Sequence, residues 1–276
     1  MSIKSILVAY NGSDSSDAAM RLAKLMHRKY DAHVTGLLAH QSAQSRLRQE
    51  TWIPSDMKDV LGALEDKEHT RIKDAFLKVG YPEVGPDHLH WIEQFGNSDQ
   101  TVADYSLMFD VTVVGRRDIL VGNRRYDLHP DRIAARSGRP VIVVPRKYDV
   151  EAIHEHAVLA WDGNRAAANA LWSAMSILET KQRVTIVTVD NKKVGKPLPG
   201  IDVITAIERH GVQANLITVK PSSGGAAKAI LDCCEQEGAG LLVMGVRQTT
   251  SFREELFGGT GKSVLENANI PVLLAQ

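Results

Sequence analysis

The sequence predicts an α/β fold: two tandem doubly wound domains, each a five-stranded parallel sheet with helices on both faces. Three observations predict it. Apolar strand patterns alternate with amphipathic helix patterns along the whole chain. The runs Val111-Thr112-Val113-Val114 and Leu241-Leu242-Val243-Met244 are apolar without the polar alternation of a half-exposed strand. Such strands are covered on both faces, as in parallel sheets. The chain is also written twice. Ile6 to Ser13 reads ILVAYNGS and Ala157 to Asn164 reads AVLAWDGN, and an alanine-rich amphipathic helix follows each. The halves close alike, on Arg139-Pro140-Val141-Ile142-Val143-Val144-Pro145 and Ile270-Pro271-Val272-Leu273-Leu274-Ala275-Gln276. The period is too long for a solenoid, so it marks a duplicated domain. The expected units are 1–147 and 153–276, joined near Arg146 to Glu155.

In the first half, strands are expected near 4–10, 32–40, 87–93, 111–115 and 140–144, with helices near 14–30, 57–79, 98–108 and 129–137. In the second, strands are expected near 156–161, 182–189, 213–219, 240–244 and 271–275, with helices near 165–179, 200–210, 224–237 and 261–268. Right-handed crossovers then give a doubly wound sheet.

Composition excludes several classes. The 276 residues carry 33 Lys+Arg against 33 Asp+Glu, so the formal net charge is zero. That removes the concentrated basic charge expected of a nucleic-acid binder. No apolar run approaches the roughly 20 residues of a membrane span. Met1-Ser2-Ile3-Lys4 leads directly into a strand pattern without signal-peptide architecture. Cys233 and Cys234 are adjacent and lack metal-ligand spacing. A cytoplasmic protein is expected.

The chemistry concentrates near the end of the chain. Leu242-Val243-Met244-Gly245 reads as a buried strand ending on glycine, and Gly258-Gly259-Thr260-Gly261-Lys262-Ser263 as a glycine turn opening a helix. Free N–H groups at a helix start, with Lys262 beside them, are the chemistry of a phosphate cradle. The string GKS is not a P-loop, which needs glycine where Leu256 stands. A glycine turn that binds nothing is the plainer alternative. Ligands of open parallel sheets bind beyond the strands' carboxyl ends, where strand order reverses. If the first and fourth strands of the second half are neighbours, Asp162 and the glycine cluster face one crevice. Alone, Asp162 reads as a helix cap or turn residue.

With these residues in view, the chain resembles a tandem universal stress protein over nearly its whole length. The resemblance rests on Asn11-Gly12-Ser13 and Asp162-Gly163-Asn164, on Gly115 and Gly245, and on the strands after Pro140 and Pro271. It implies sheet order 3-2-1-4-5. Its ATP-binding members carry glycine, two residues, glycine, nine residues, glycine, then Ser or Thr. Gly245 and Gly258 match, with nine residues, Thr249 to Phe257, before Gly258; Gln248 and Gly259 depart from the pattern. The resemblance implies a binding set of Ala160, Asp162, Val189, Met244, Gly245, Arg247, Gly258, Gly259, Thr260, Gly261, Lys262 and Ser263. The ligand implied is ATP, or AMP or ADP, with Mg²⁺ an optional companion. The first half, with Asn11 for the Asp and no glycine pair at Leu128-His129, reads as a degenerate copy.

The expected function is regulatory binding without catalysis. Closing strands would pair between the halves in an intramolecular pseudo-dimer, with further homodimerisation and an unidentified protein partner. A nucleotide-free interaction module and a slow ATPase using Asp162 and Lys262 are the rivals. Arg116, Arg117, Arg124 and Arg125 read as an anion-holding run or a solvated loop. His88 with His90, and His154 with His156, each share a strand face but lack further ligands. Ser13, Ser15 and Ser16 read as helix capping. The segment 41–58 reads as a lid over the first-half crevice, an interaction loop or a surface insertion, with 191–200 its shorter counterpart in the second half.

Overall fold

The computed structural model describes residues 3–41, 55–117, 126–190, 198–246 and 259–276. The chain runs β1 (Ser5–Ala9), α1 (Asp14–Tyr30), β2 (His33–His40), α2 (Ser55–Val84), β3 (Leu89–Phe95), α3 (Ser98–Ser106), β4 (Val111–Gly115), α4 (Pro130–Ser137) and β5 (Val141–Val144). It continues with β6 (His156–Ala160), α5 (Arg165–Leu178), β7 (Arg183–Val189), α6 (Val203–Glu208), β8 (Gln213–Val219), α7 (Gly225–Gln236), β9 (Leu241–Gly245), α8 (Gly259–Asn267) and β10 (Val272–Ala275). The expected elements are all present, with shifts at their ends.

The largest shift is in α2, expected to end at residue 79 and running to Val84. Glycine punctuates a sequence pattern, but here Gly80 serves packing. A Cβ at Gly80 would meet Leu89 Cδ2 at 2.6 Å and Met20 Cε at 2.9 Å. The bare backbone lets α2 lie close against the sheet and α1, and the helix carries on. α1 shows why its ends were legible. The Ser13 hydroxyl accepts from Ser16 N at 3.2 Å. Asp14 and Asp17 occupy the first turn, and His27, Arg28 and Lys29 the last, each charge matched to the helix dipole. The chain then leaves through Asp31 in the left-handed region, φ 52°.

All ten strands form one sheet, in the order β3-β2-β1-β4-β5-β10-β9-β6-β7-β8. Each half therefore has the order 3-2-1-4-5, parallel within itself. The halves join where β5 and β10 pair antiparallel, Val143 opposite Val272, Ile142 opposite Leu273 and Val141 opposite Leu274. The expected pairing of closing strands is thus present. Because that single pairing is antiparallel, the carboxyl ends of the two strand sets point to opposite ends of the sheet.

Side chains alternate across the junction. Ile142 and Leu273 join the apolar core on one face, with α1 and α5 residues such as Met20, Leu171 and Met175. Val141, Val143, Val272 and Leu274 join the core on the other, with Ile133, Ile230 and Val264 from α4, α7 and α8. Each core runs through both halves. Cys233 and Cys234 belong to the second core, and burial raises both thiols, Cys234 to about 12. They pack as small apolar side chains.

Polar contacts reinforce the junction. Arg21 Nε donates to Tyr148 O at 2.7 Å. Lys29 Nζ reaches Glu155 Oε1 at 2.8 Å and Thr180 O at 3.0 Å. Tyr30 OH lies 2.9 Å from Thr180 Oγ1. Beside them Lys181, 7% exposed, donates to His154 O. Burial, and then the charge of Lys29, lower the Lys181 ammonium to about 8, with Glu155 opposing.

Two outcomes follow from this junction. Leu273→Ala removes a side chain that is fully buried in the shared core, and urea unfolding will show a loss of about 2–5 kcal/mol. Lys181 gives a pH dependence. Between about 8 and 10.5 the unfolded chain holds a proton that the folded chain has released. Stability from this group therefore rises with pH across that window. Unfolding of the wild type measured against Lys181→Met will show the wild type gaining, with a slope approaching about 1.4 kcal/mol per pH unit.

Candidate functional site

In the second half, β6 and β9 are neighbours, with Leu159 opposite Val243. The strand order reverses there, so the crevice opens beyond their carboxyl ends. Ala160 ends β6, and the chain turns through Trp161, Asp162 and Gly163 (φ 70°) into α5. Asp162 Oδ1 accepts from Asn164 N at 3.0 Å. In return Asn164 Nδ2 donates to Asp162 O at 3.3 Å. This is an Asx turn, the reading Asp162 has on its own, and it fixes the carboxylate at the crevice mouth.

The first half builds the same turn from different residues. Asn11 Oδ1 accepts from Ser13 N at 3.2 Å and from Ser13 Oγ at 2.6 Å, with Gly12 at φ 74°. Asn11 Nδ2 donates to Tyr126 O at 2.9 Å. The repeat read in the sequence is therefore a repeat of hydrogen bonding.

Gly245 has a packing role. A Cβ there would lie 2.2 Å from Ala166 C and O and 2.6 Å from Ala167 N. Gly115 is identical in kind, its Cβ falling 2.2 Å from Ser15 O. In each half the first glycine lets the strand end touch the helix that follows strand one. Gly259 differs: a Cβ there meets nothing within 4 Å among the described residues. Gly259, Thr260 and Lys262 are exposed in the first turn of α8, Ser263 is half-buried and Gly261 is buried. Ala160, Val189 and Met244 share the apolar cluster that α8 enters through Val264. The structure thus gathers these three around one end of the sheet. Arg247, Gly258 and the Thr249-to-Phe257 run lie outside the described residues, as does Gln248.

The first-half crevice is lined by Asn11, Ser13, Ser15, Ser16, Arg117 and Leu128. Ser15 occupies the position of Ala166. Its hydroxyl is buried and has no hydrogen-bond partner among the described residues, a feature the capping explanation does not account for. Arg116 also borders this crevice, and its guanidinium is engaged at a helix end. Its Nη1 donates to Glu266 O at 3.0 Å and Ala268 O at 3.2 Å, the carbonyl end of α8. A guanidinium there complements the helix dipole. Arg124 and Arg125 lie outside the described residues, as do positions 42–54 and 191–197 of the two long connections.

The histidine pairs resolve without a site. His88 and His90 flank His33, which stacks on both at the sheet edge. His156 is held by Thr185 Oγ1 at 2.9 Å and Glu237 O at 2.7 Å. Among the described residues no helix is long and apolar enough to cross a membrane. Sequence reasoning missed a different histidine cluster, formed by His40 with Glu65 and His69. Its one local signal was the spacing of Glu65 and His69, four apart on one helical face.

The class of protein is therefore a doubly wound α/β protein with two opposed switch-point crevices. Residues 154–276 match the model of the Universal stress protein family. A universal stress protein from Archaeoglobus fulgidus DSM 4304 superposes with TM-score 0.74 at 18% identity, covering 99% of this chain and 96% of that one. A functionally unknown protein from Pseudomonas aeruginosa PAO1 gives TM-score 0.57 at 16% identity, covering 99% and 92%. No curated protein matches the sequence. Residues 154–276 therefore carry the family match, and the whole chain shares its fold with a solved universal stress protein.

The two glycines give a paired expectation. Gly245→Ala will lower stability by about 3 kcal/mol, because backbone rather than a side chain must move. Gly259→Ala will stay within about 0.5 kcal/mol of the wild type. Thermal unfolding of the two variants checks both.

Proposed function

We propose that this is a regulatory stress-response protein of two universal-stress-type domains, 1–147 and 153–276, acting in the cytoplasm without catalysing a reaction. Its C-terminal domain binds ATP or another adenine nucleotide. One observation carries this reading: the neighbouring ends of β6 and β9 set the Asp162 turn beside an apolar cluster containing Ala160, Val189 and Met244. An adenine would pack on that cluster, with the Asp162 carboxylate as acceptor for a base or ribose donor. The open first turn of α8, with Thr260, Lys262 and Ser263, would receive the phosphates. The match of residues 154–276 to the family model supports the same half.

A second reading has its own observation. The partnerless, buried Ser15 hydroxyl lines the first-half crevice together with Arg117. A phosphate there would accept from Ser15 and from the start of α1.

Nucleotide released from denatured, freshly purified protein, followed by ATP titration calorimetry, separates these readings. One nucleotide per chain, lost in Gly259→Val and Asp162→Ala but kept in Ser15→Ala, is the expected result. Gly259→Val reports on the ligand and not on packing, because no described residue lies within 4 Å of a Cβ there. Loss in Ser15→Ala alone would move the site to the first half. No nucleotide and no heat would leave a nucleotide-free interaction module. ATP turnover abolished by Asp162→Ala in a folded chain would overturn the regulatory reading.

A further inference from the structure

Away from both strand-one turns, the end of β2, the middle of α2 and the neighbouring β3 bring four ionisable side chains together. His40 is the last residue of β2 and is 6% exposed. Glu65 and His69, 7% and 6% exposed, stand one turn apart on α2. The ligating atoms of these three all lie within 4.8 Å of one another. The two imidazole rings are 4.0 Å apart, centre to centre.

Glu93, on β3, completes the group. Its Oε1 lies 2.8 Å from His69 Nδ1 and 3.3 Å from His40 Nε2. A carboxylate only accepts, so both nitrogens carry hydrogen toward it. In a neutral ring that leaves the lone pair on the other nitrogen. His69 Nε2 accepts from Tyr126 OH at 3.0 Å. His40 Nδ1 is buried with no partner. An unprotonated imidazole nitrogen is the form that ligates metals.

We propose that His40, Glu65 and His69 form a binding site for a divalent transition ion of the zinc class, with Glu93 orienting both imidazoles. The chemistry selects the ion. Two imidazoles with one carboxylate suit zinc and its neighbours, whereas magnesium and calcium prefer all-oxygen shells. With metal–ligand bonds of about 2.0–2.1 Å, tetrahedral ligands stand about 3.3 Å apart, so from separations within 4.8 Å the arms close by at most about 1.5 Å. Glu93 plays the carboxylate–histidine part that fixes ring orientation around metals. A water would fill the fourth position.

The site has a structural consequence. It ties α2 to the outer strands of the sheet. An ion on His69 Nε2 displaces the Tyr126 hydroxyl that meets it in this structure, and because the Tyr126 carbonyl receives Asn11, loading of the site reaches the first-half crevice. The inference is independent of where a nucleotide binds.

The test uses the full chain, free of any affinity tag and stripped with chelator, titrated with Zn²⁺ and, for its visible spectrum, Co²⁺. The expected result is one ion per chain and a raised melting temperature. His40→Gln, Glu65→Gln and His69→Gln will each weaken binding at least 10-fold, and Glu93→Gln about 10–100-fold. A His88→Gln, His90→Gln double variant removes the exposed edge histidines and will leave stoichiometry and affinity unchanged. Binding that survives His40→Gln and His69→Gln, or that vanishes with the edge histidines, overturns the proposal. No binding to the wild type overturns it as well. Should the core variants fail to fold, X-ray absorption of the zinc-loaded wild type decides. Two imidazoles in the shell uphold the site, and any smaller number sinks it.

Discussion

Each half of this chain, taken alone, ends its sheet on a short apolar strand. β5 reads VIVV and β10 reads VLLA, and all eight residues are buried. Such a strand has backbone groups to satisfy on its open side and side chains to cover on both faces. The antiparallel β5–β10 pairing meets both needs at once. It uses each half as the other's missing edge and merges two small cores into one core per face. The polar contacts of Arg21, Lys29 and Tyr30 lie along the same seam. Only β3 and β8, with more exposed and more polar patterns, remain as edges of the sheet.

That pairing also places the crevices. They lie at the β1–β4 and β6–β9 gaps, four strand spacings apart, or about 20 Å across the sheet. Because the join is antiparallel, they open at opposite ends. α8 spans the difference: it starts at the second-half crevice, and its last carbonyls receive Arg116 from beside the first. Whatever orders the start of α8 is therefore one short helix away from the strand end that borders the other crevice.

The two halves repeat one strand order, and three residue differences make them chemically unlike. The turn carries Asn11 in one half and Asp162 in the other. The helix behind the strand-end glycine carries Ser15 or Ala166. The residue after that glycine is Arg116 or Val246. In both halves Val144–Arg116 and Ala275–Val246 make the same backbone bond, 2.8 Å from N to O. The main chain is repeated and the side chains specialise.

The sequence by itself determined the elements, the repeat and the strand-one turns. These are local properties: apolar period, a capping serine, a glycine free to turn. It also located the second-half crevice, because strand alternation and one fixed handedness leave few topologies. The tertiary structure decided what depends on which distant residues meet. It showed that Gly245 and Gly115 are glycines because a helix start touches them, a requirement written on another element. It set the Arg116 guanidinium at a helix end some 150 positions away. It brought His40 against Glu65, His69 and Glu93, from three elements that no spacing rule relates. Side-chain chemistry is legible in a sequence when its partners are near along the chain. When they converge only through sheet order and helix packing, the fold alone brings them together.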